Sequence, residues 1–220
     1  PRAAFVVGSP EFEDGRLARL SSIDADNGLT VGDRGLSNMG GAIALIAPRI
    51  DTTGSADARG DLEVIMGLNQ MAYEDLRIEQ TRQPSRPRVD AQLFGAMQAG
   101  RINIISTADG VGVKVAAPLL AAGDLKVTSA GNLEITGSTF TNSLVANRNV
   151  LNSDNGDVQL HAKDDLVLKA SDVNGRNIDA CAWISTNPPP ARISSISAAF
   201  APLKSRGSRD SEDPHHGPTI

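Results

Sequence analysis

Aromatic residues make up only 3% of this 220-residue chain. So few large rings suit a narrow interior filled by Val, Ile, Leu and Ala, and they count against a two-sheet β-sandwich, whose core usually carries more of them. Cysteine occurs once, at Cys181, so no internal disulfide can form. No apolar run approaches the roughly 20 residues that a membrane-spanning helix needs. Positive charge is in deficit, with a net charge of −5. That excludes the basic stripe by which a surface neutralises nucleic-acid phosphates or anionic lipid, so no nucleic-acid partner is expected. The local basic cluster from Arg82 to Arg88 reads as a solvated loop. No signal-peptide pattern opens the chain, which starts at Pro1 without an initiator Met, as if cut from something longer.

What the chain does have is a repeat. Between Ala91 and Gly137, short alternating segments are cut by Gly, Asn and Asp. Asp124 to Ser129 (DLKVTS) and Asn132 to Gly137 (NLEITG) share one pattern, a turn residue followed by alternating apolar and polar positions. Leu125 and Leu133 are eight residues apart, as are Val158 and Leu166 in the later copies Asp157 to Ala162 and Asp165 to Ala170. Period-2 alternation places Leu125, Val127, Leu133, Ile135, Val158, Leu160, Leu166 and Leu168 on one face, with Lys126, Glu134, Gln159 and Lys163 toward solvent. One such strand buries too little to stand alone. Coils stacked about 4.8 Å apart join the inward aliphatics into one column, so the expected fold is all-β, a parallel β-helix (solenoid) with an extra-helical excursion and a disordered C-terminal tail.

In chain order, Ala4 to Val7 and Leu29 to Val31 flank the turn dipeptides Asp14-Gly15 and Asn27-Gly28, which reads as hairpin plus coil. Gly40 to Pro48 is a buried strand, and Gly60 to Gly67 another copy of the repeat. The pattern then stops from Leu68 to Asp90. Gln70 to Gln80 is expected to form one or two helical turns with Met71, Leu76 and Ile78 inward, followed by a Pro- and Arg-containing loop. Strands resume at Leu93, and Asp109-Gly110 gives the clearest hairpin signal. Beyond Gly137 the coils continue less regularly through Phe140, Leu144 and Val150 to Ile178. After Ala180 the composition changes: Pro188 to Pro190 cannot join a ladder and Ser205 to Pro218 is polar and charged, as in a disordered or out-of-frame tail.

An ordered series of these segments carries a family resemblance: Gly41 to Asp51 (GAIALIAPRID), Gly60 to Asn69 (GDLEVIMGLN), Leu93 to Ile102 (LFGAMQAGRI), Thr107 to Lys114 (TADGVGVK) and Gly123 to Val127 (GDLKV). Together they resemble the filamentous haemagglutinin family, large exoproteins of two-partner secretion that include adhesins and the toxin carriers of contact-dependent growth inhibition. The resemblance covers roughly residues 1–137. It implies that 1–137 are the C-terminal part of a two-partner secretion (haemagglutination activity) domain, 138–180 the start of shaft repeats and 181–220 a tail. It also implies a right-handed β-helix, export through an outer-membrane β-barrel transporter, and secretion from or display on a Gram-negative cell, where a host or bacterial surface receptor would be the partner. Arg2 to Pro10 resembles the segment just after the second of the family's Asn-Pro motifs, so the expected chain is truncated at its N-terminus.

Candidate sites are few. Arg59, Gly60 and Asp61 form the tripeptide that many adhesins present to integrins, although they sit at a turn into a core strand. Asp124, Asp157, Asp164 and Asp165 form an acidic row that could serve metal binding or glycoside hydrolysis, yet turn chemistry alone accounts for acids at strand starts. Gly110 and Gly112 lack the third Gly and the helix of a nucleotide fingerprint. His161 lies at an outward position, His215 and His216 lie in the tail, and no His or Cys spacing matches a zinc motif. Met66, Met71 and Met97 read as core filler. No metal, cofactor or catalytic residue is therefore expected. The sequence reads as the non-enzymatic β-helix of a haemagglutinin-like adhesin, with a toxin carrier, a carbohydrate-active β-helix enzyme and a non-functional gene remnant as the alternatives. A stack without its cap exposes an unpaired edge, so residues 1–180 alone are expected to be poorly soluble or oligomeric.

Overall fold

A computed structural model describes residues 1–22, 27–84, 90–137 and 149–182. Among them there is no helix. Three parallel sheets form the sides of a helical stack. The first contains seven strands, Arg2–Val6, Ala42–Ala47, Asp61–Met66, Arg101–Ser106, Leu125–Ser129, Val158–Ala162 and Ile178–Ala182, hydrogen-bonded in chain order. The second and third sheets have six shorter strands each. They run from Leu29–Val31 to Leu166–Lys169 and from Leu36–Asn38 to Ser171–Asn174. Every neighbouring pair in these three sheets is parallel.

The eight-residue spacing seen in the sequence is the step from one side of a coil to the next. Leu125 lies in the first sheet and Leu133 in the second, and each meets its own successor one coil later, Leu125 against Val158 and Leu133 against Leu166. Inward residues form one continuous column. Leu125, Val127, Leu133, Ile135, Val158 and Leu160 are fully buried in it, Leu166 nearly so, and Leu168 packs partly buried at its end. The coil itself is about twenty residues long, as the pairings of Ile43 with Leu62 and Val158 with Ile178 indicate. Between Leu62 and Ile102 it is longer, and the strands Leu68–Ala72 and Ile78–Arg82 leave the stack there.

Two such departures build a fourth, antiparallel sheet in the order Ile78–Arg82, Leu68–Ala72, Arg16–Ser21 and Ser9–Glu13. Asp14-Gly15 turns the hairpin between Ser9–Glu13 and Arg16–Ser21, with both residues at positive φ (50° and 74°), as expected. The expected helical turns from Gln70 to Gln80 are instead a second hairpin, Leu68–Ala72 against Ile78–Arg82. Met71 and Leu76 are buried and Ile78 partly so, which keeps the expected inward set. The strand wins because Leu68–Ala72 finds a distant partner in Arg16–Ser21, and this pairing outweighs local propensity. The new sheet covers the outer face of the first: Leu20, Met71 and Leu76 close over Ala44, Ile46 and Ile65 in a second small core.

Asp109-Gly110 is not a hairpin. The flanking strands Arg101–Ser106 and Val113–Val115 belong to different sheets, and the dipeptide makes the corner between them, Gly110 supplying φ 71°. Another corner stacks glycines: a Cβ on Gly95 would come within 1.8 Å of the Gly54 carbonyl oxygen, and one on Gly54 within 2.0 Å of Gly32's. The strand Ile178–Ala182 carries the stack two residues past the expected end at Ala180. The expected coil at Phe140 and Leu144 and the tail from Trp183 onward lie outside the described residues.

Candidate functional site

Polar side chains bond one coil to the next, mostly at the corners and at Asp51 within a strand. Asp51 Oδ1 accepts the Gln92 amide of the next coil (3.1 Å), Asp90 Oδ1 accepts the Gly112 amide (2.9 Å), and Asp124 Oδ1 accepts the Asp157 amide (3.0 Å). Asp157 Oδ1 in turn accepts from Asn177 Nδ2 (2.9 Å), and Asn132 Oδ1 accepts the Asp165 amide (3.0 Å). Asp51, Asp90, Asp124 and Asn132 thus each satisfy a backbone amide of the next coil, and Asp157 a side-chain amide. The acidic row picked out in the sequence falls into this scheme. Asp124 and Asp157 form one corner ladder, while Asp164 and Asp165 stand at the next corner, with backbone amides bonded to Gly131 and Asn132.

Arg59, Gly60 and Asp61 lie along a corner between the third and first sheets. The Arg59 amide donates to the Asn38 carbonyl, the Gly60 amide to the Gly41 carbonyl, and the Gly60 carbonyl accepts the Gly100 amide at 2.7 Å. Arg59 is exposed, whereas Asp61 is held by Arg101 through a paired contact of 3.0 and 2.5 Å. The tripeptide therefore lies flat on the stack, with its carboxylate shared with a neighbouring guanidinium. Next to it, Glu63 is partly buried on the outer face. Burial raises its pKa above the ordinary carboxylate value, opposed by a 2.7 Å hydrogen bond from Asn103 Nδ2.

A polar knot that the sequence reading missed ties the fourth sheet to the stack. Asn69 is 1% exposed. Its Nδ2 donates to the Met66 carbonyl (3.1 Å), and its Oδ1 accepts from the Thr107 (2.8 Å) and Thr81 (3.1 Å) hydroxyls. Ser22 completes it, its hydroxyl donating to the Gly67 carbonyl (2.6 Å) and accepting the Asn69 amide (3.1 Å). The four side chains come from segments up to 85 residues apart, so no local signal marks them.

His161, Asp179 and Cys181 stand together on the outer face of the first sheet. Their potential ligand atoms all lie within 4.8 Å of one another, and His161 Nε2 is 3.1 Å from Asp179 Oδ2. Among the described residues this is the one convergence of three His, Cys, Asp or Glu side chains. Spacing rules for zinc motifs pass over it because they look for ligands a few residues apart, whereas His161 and Cys181 are separated by one coil and stand in register.

No protein-family model matches the chain. It is 40% identical over 126 residues to a hemolysin of Proteus mirabilis and 38% over 136 residues to one of Serratia marcescens, each alignment covering 57% of this chain. The chain spans 8% of the length of either hemolysin. A weaker likeness, 26% over 183 residues and 6% of the relative's length, reaches the tRNA nuclease CdiA of Escherichia coli strain NC101. The fold matches the crystal structure of a filamentous hemagglutinin secretion domain with a TM-score of 0.57 at 18% identity, over 80% of this chain and 56% of that one. The ordered segments, the hemolysin identities and the shared β-helix agree, and together they make this chain similar to the filamentous haemagglutinin family of two-partner secretion exoproteins.

Proposed function

We propose that this chain is the export and shaft-base scaffold of a haemagglutinin-like adhesin, secreted from or displayed on a Gram-negative cell, and that its work is mechanical rather than catalytic. The observation that carries the reading is the seven-strand parallel sheet, in register from Arg2–Val6 to Ile178–Ala182. In such a stack each coil offers a complete edge to the next. A chain emerging through an outer-membrane transporter would fold coil by coil onto what is already outside, and each added ladder disfavours its return. The engagement of Asp124 and Asp157 in corner hydrogen bonds supports a structural use for the acids that a glycosidase reading would need free. Adhesion to a host or bacterial receptor would be a property of the assembled filament; Arg59, Gly60 and Asp61 would contribute to it only once Arg101 releases the Asp61 carboxylate.

A chimera tests the proposal. The matching coils of the Proteus mirabilis hemolysin are replaced by those of this chain, and secretion through that hemolysin's transporter is followed in the medium. Export within a few-fold of the parent is expected. A chimera that stays in the periplasm, while folded controls of similar length are exported, refutes it. The CdiA likeness favours a second reading, in which the same scaffold carries a toxin. A toxin domain encoded downstream beside an immunity gene distinguishes that cargo from an adhesive one.

A further inference from the structure

We propose that His161, Asp179 and Cys181 bind a single zinc-class divalent cation that clips the strand Ile178–Ala182 onto its neighbour Val158–Ala162. The site goes beyond the scaffold reading and does not depend on it. Its geometry follows from the ladder. His161 pairs in register with Cys181, so their side chains leave adjacent parallel strands on the same outward face, and Asp179 lies two residues before Cys181 on that face. Imidazole nitrogen and carboxylate oxygen bound to a tetrahedral zinc at about 2.0–2.1 Å lie roughly 3.3 Å apart. The 3.1 Å between His161 Nε2 and Asp179 Oδ2 is already that spacing. Cys181 Sγ stands within 4.8 Å of both and closes the triangle by a modest side-chain rotation.

The donor set selects the ion. One imidazole, one carboxylate and one thiolate make a borderline-soft site that suits zinc or cobalt, whereas magnesium and calcium take oxygen ligands throughout. Binding displaces the thiol proton of Cys181, and thiolate plus carboxylate then balance the two positive charges. His161 and Cys181 are half-buried while Asp179 is exposed, which leaves a fourth coordination position open to water. Thr128, in register with His161 on its other side, carries a buried hydroxyl without a hydrogen-bond partner, so the ground beside the site is polar. Among the described residues, Ile178–Ala182 is the last strand of the first sheet, paired on one side only. A cation bridging it to the preceding strand holds the coil where the ladder is weakest.

The test uses the full 220-residue chain, zinc uptake by equilibrium dialysis, and cobalt substitution read by absorption. The expected result is one equivalent of metal per monomer with a thiolate-to-cobalt charge-transfer band, and no competition from excess magnesium. His161→Ala and Cys181→Ser should each weaken binding about tenfold or more while leaving the circular dichroism spectrum unchanged. A His215→Ala/His216→Ala variant should bind like the parent, which excludes the tail as the source of ligands. The proposal is overturned by substoichiometric uptake, by binding that survives both His161→Ala and Cys181→Ser, or by a metal-dependent dimer in light scattering, which would mean ligands drawn from two chains.

Discussion

Replacing Asn69 with Ala should loosen the fourth sheet while sparing the far coils. The truncation removes the Nδ2 donation to the Met66 carbonyl and the acceptor shared by Thr81 and Thr107. Some of this is recoverable. The Thr107 hydroxyl already lies 3.1 Å from the Met66 carbonyl, which also keeps its bond from the Thr107 amide at 3.1 Å. Two net hydrogen bonds at about 0.5–1.5 kcal/mol each, plus roughly 1 kcal/mol for the small void left at a site this buried, give about 2–4 kcal/mol. Asn69→Asp should cost more, because it keeps the size but loses the donor and buries a charge. Stacked coils need not unfold in one step, so native-state amide exchange is the better assay than a single melting curve. Protection should fall at the amides of Ser22, Gly67, Asn69 and Ala72 and hold at those of Leu125 and Val158. A loss below about 0.5 kcal/mol, or one spread evenly along the stack, would refute the idea that the knot anchors the departing sheet.

Four further outcomes follow from the geometry. Burial raises the Glu63 pKa, so the folded state binds its proton more tightly than the unfolded chain. Stability should therefore be greatest below the unfolded pKa and fall as pH rises through the folded one, and Glu63→Gln should flatten that decline and stabilise the protein at pH 7, as read by denaturant titrations at several pH values. Gly95→Ala should cost about 3 kcal/mol or more because its Cβ meets the Gly54 carbonyl. Gly32→Ala, with nothing within 4 Å, should stay within about 1 kcal/mol, and equal effects in urea unfolding would contradict the corner reading. Leu133→Ala, in the middle of the buried column, should lose about 2–5 kcal/mol, measured the same way. Phe5 is 41% exposed beside the edge strands Leu29–Val31 and Leu36–Asn38, so the purified chain should run as oligomers in size-exclusion chromatography, and a sharp monomer peak would count against an adhesive edge.

What could be read in the sequence is what is local to one side of a coil. The alternation at Leu125–Ser129 and Leu133–Thr136 states which residues face inward, and each of those faces is buried as read. The Asp14-Gly15 turn could be read because a hairpin closes on its own neighbours. Asp109-Gly110 carries the same chemistry and turns a corner instead, since positive φ says that the chain bends and not which strand it will pair with. That choice is made by the closing length of the coil, which brings residue i against a residue roughly twenty to forty places on. The Asn69 knot and the convergence of His161 with Cys181 both depend on this length, so neither leaves a spacing that a motif would register. The eight-residue step that repeats in the sequence is one side of a coil only; the other two sides are shorter, so the repeat alone does not give the twenty-residue coil that sets Cys181 against His161. In a solenoid, candidate sites are best sought between residues one coil apart, because the ladder makes those residues neighbours wherever their side chains face the same way.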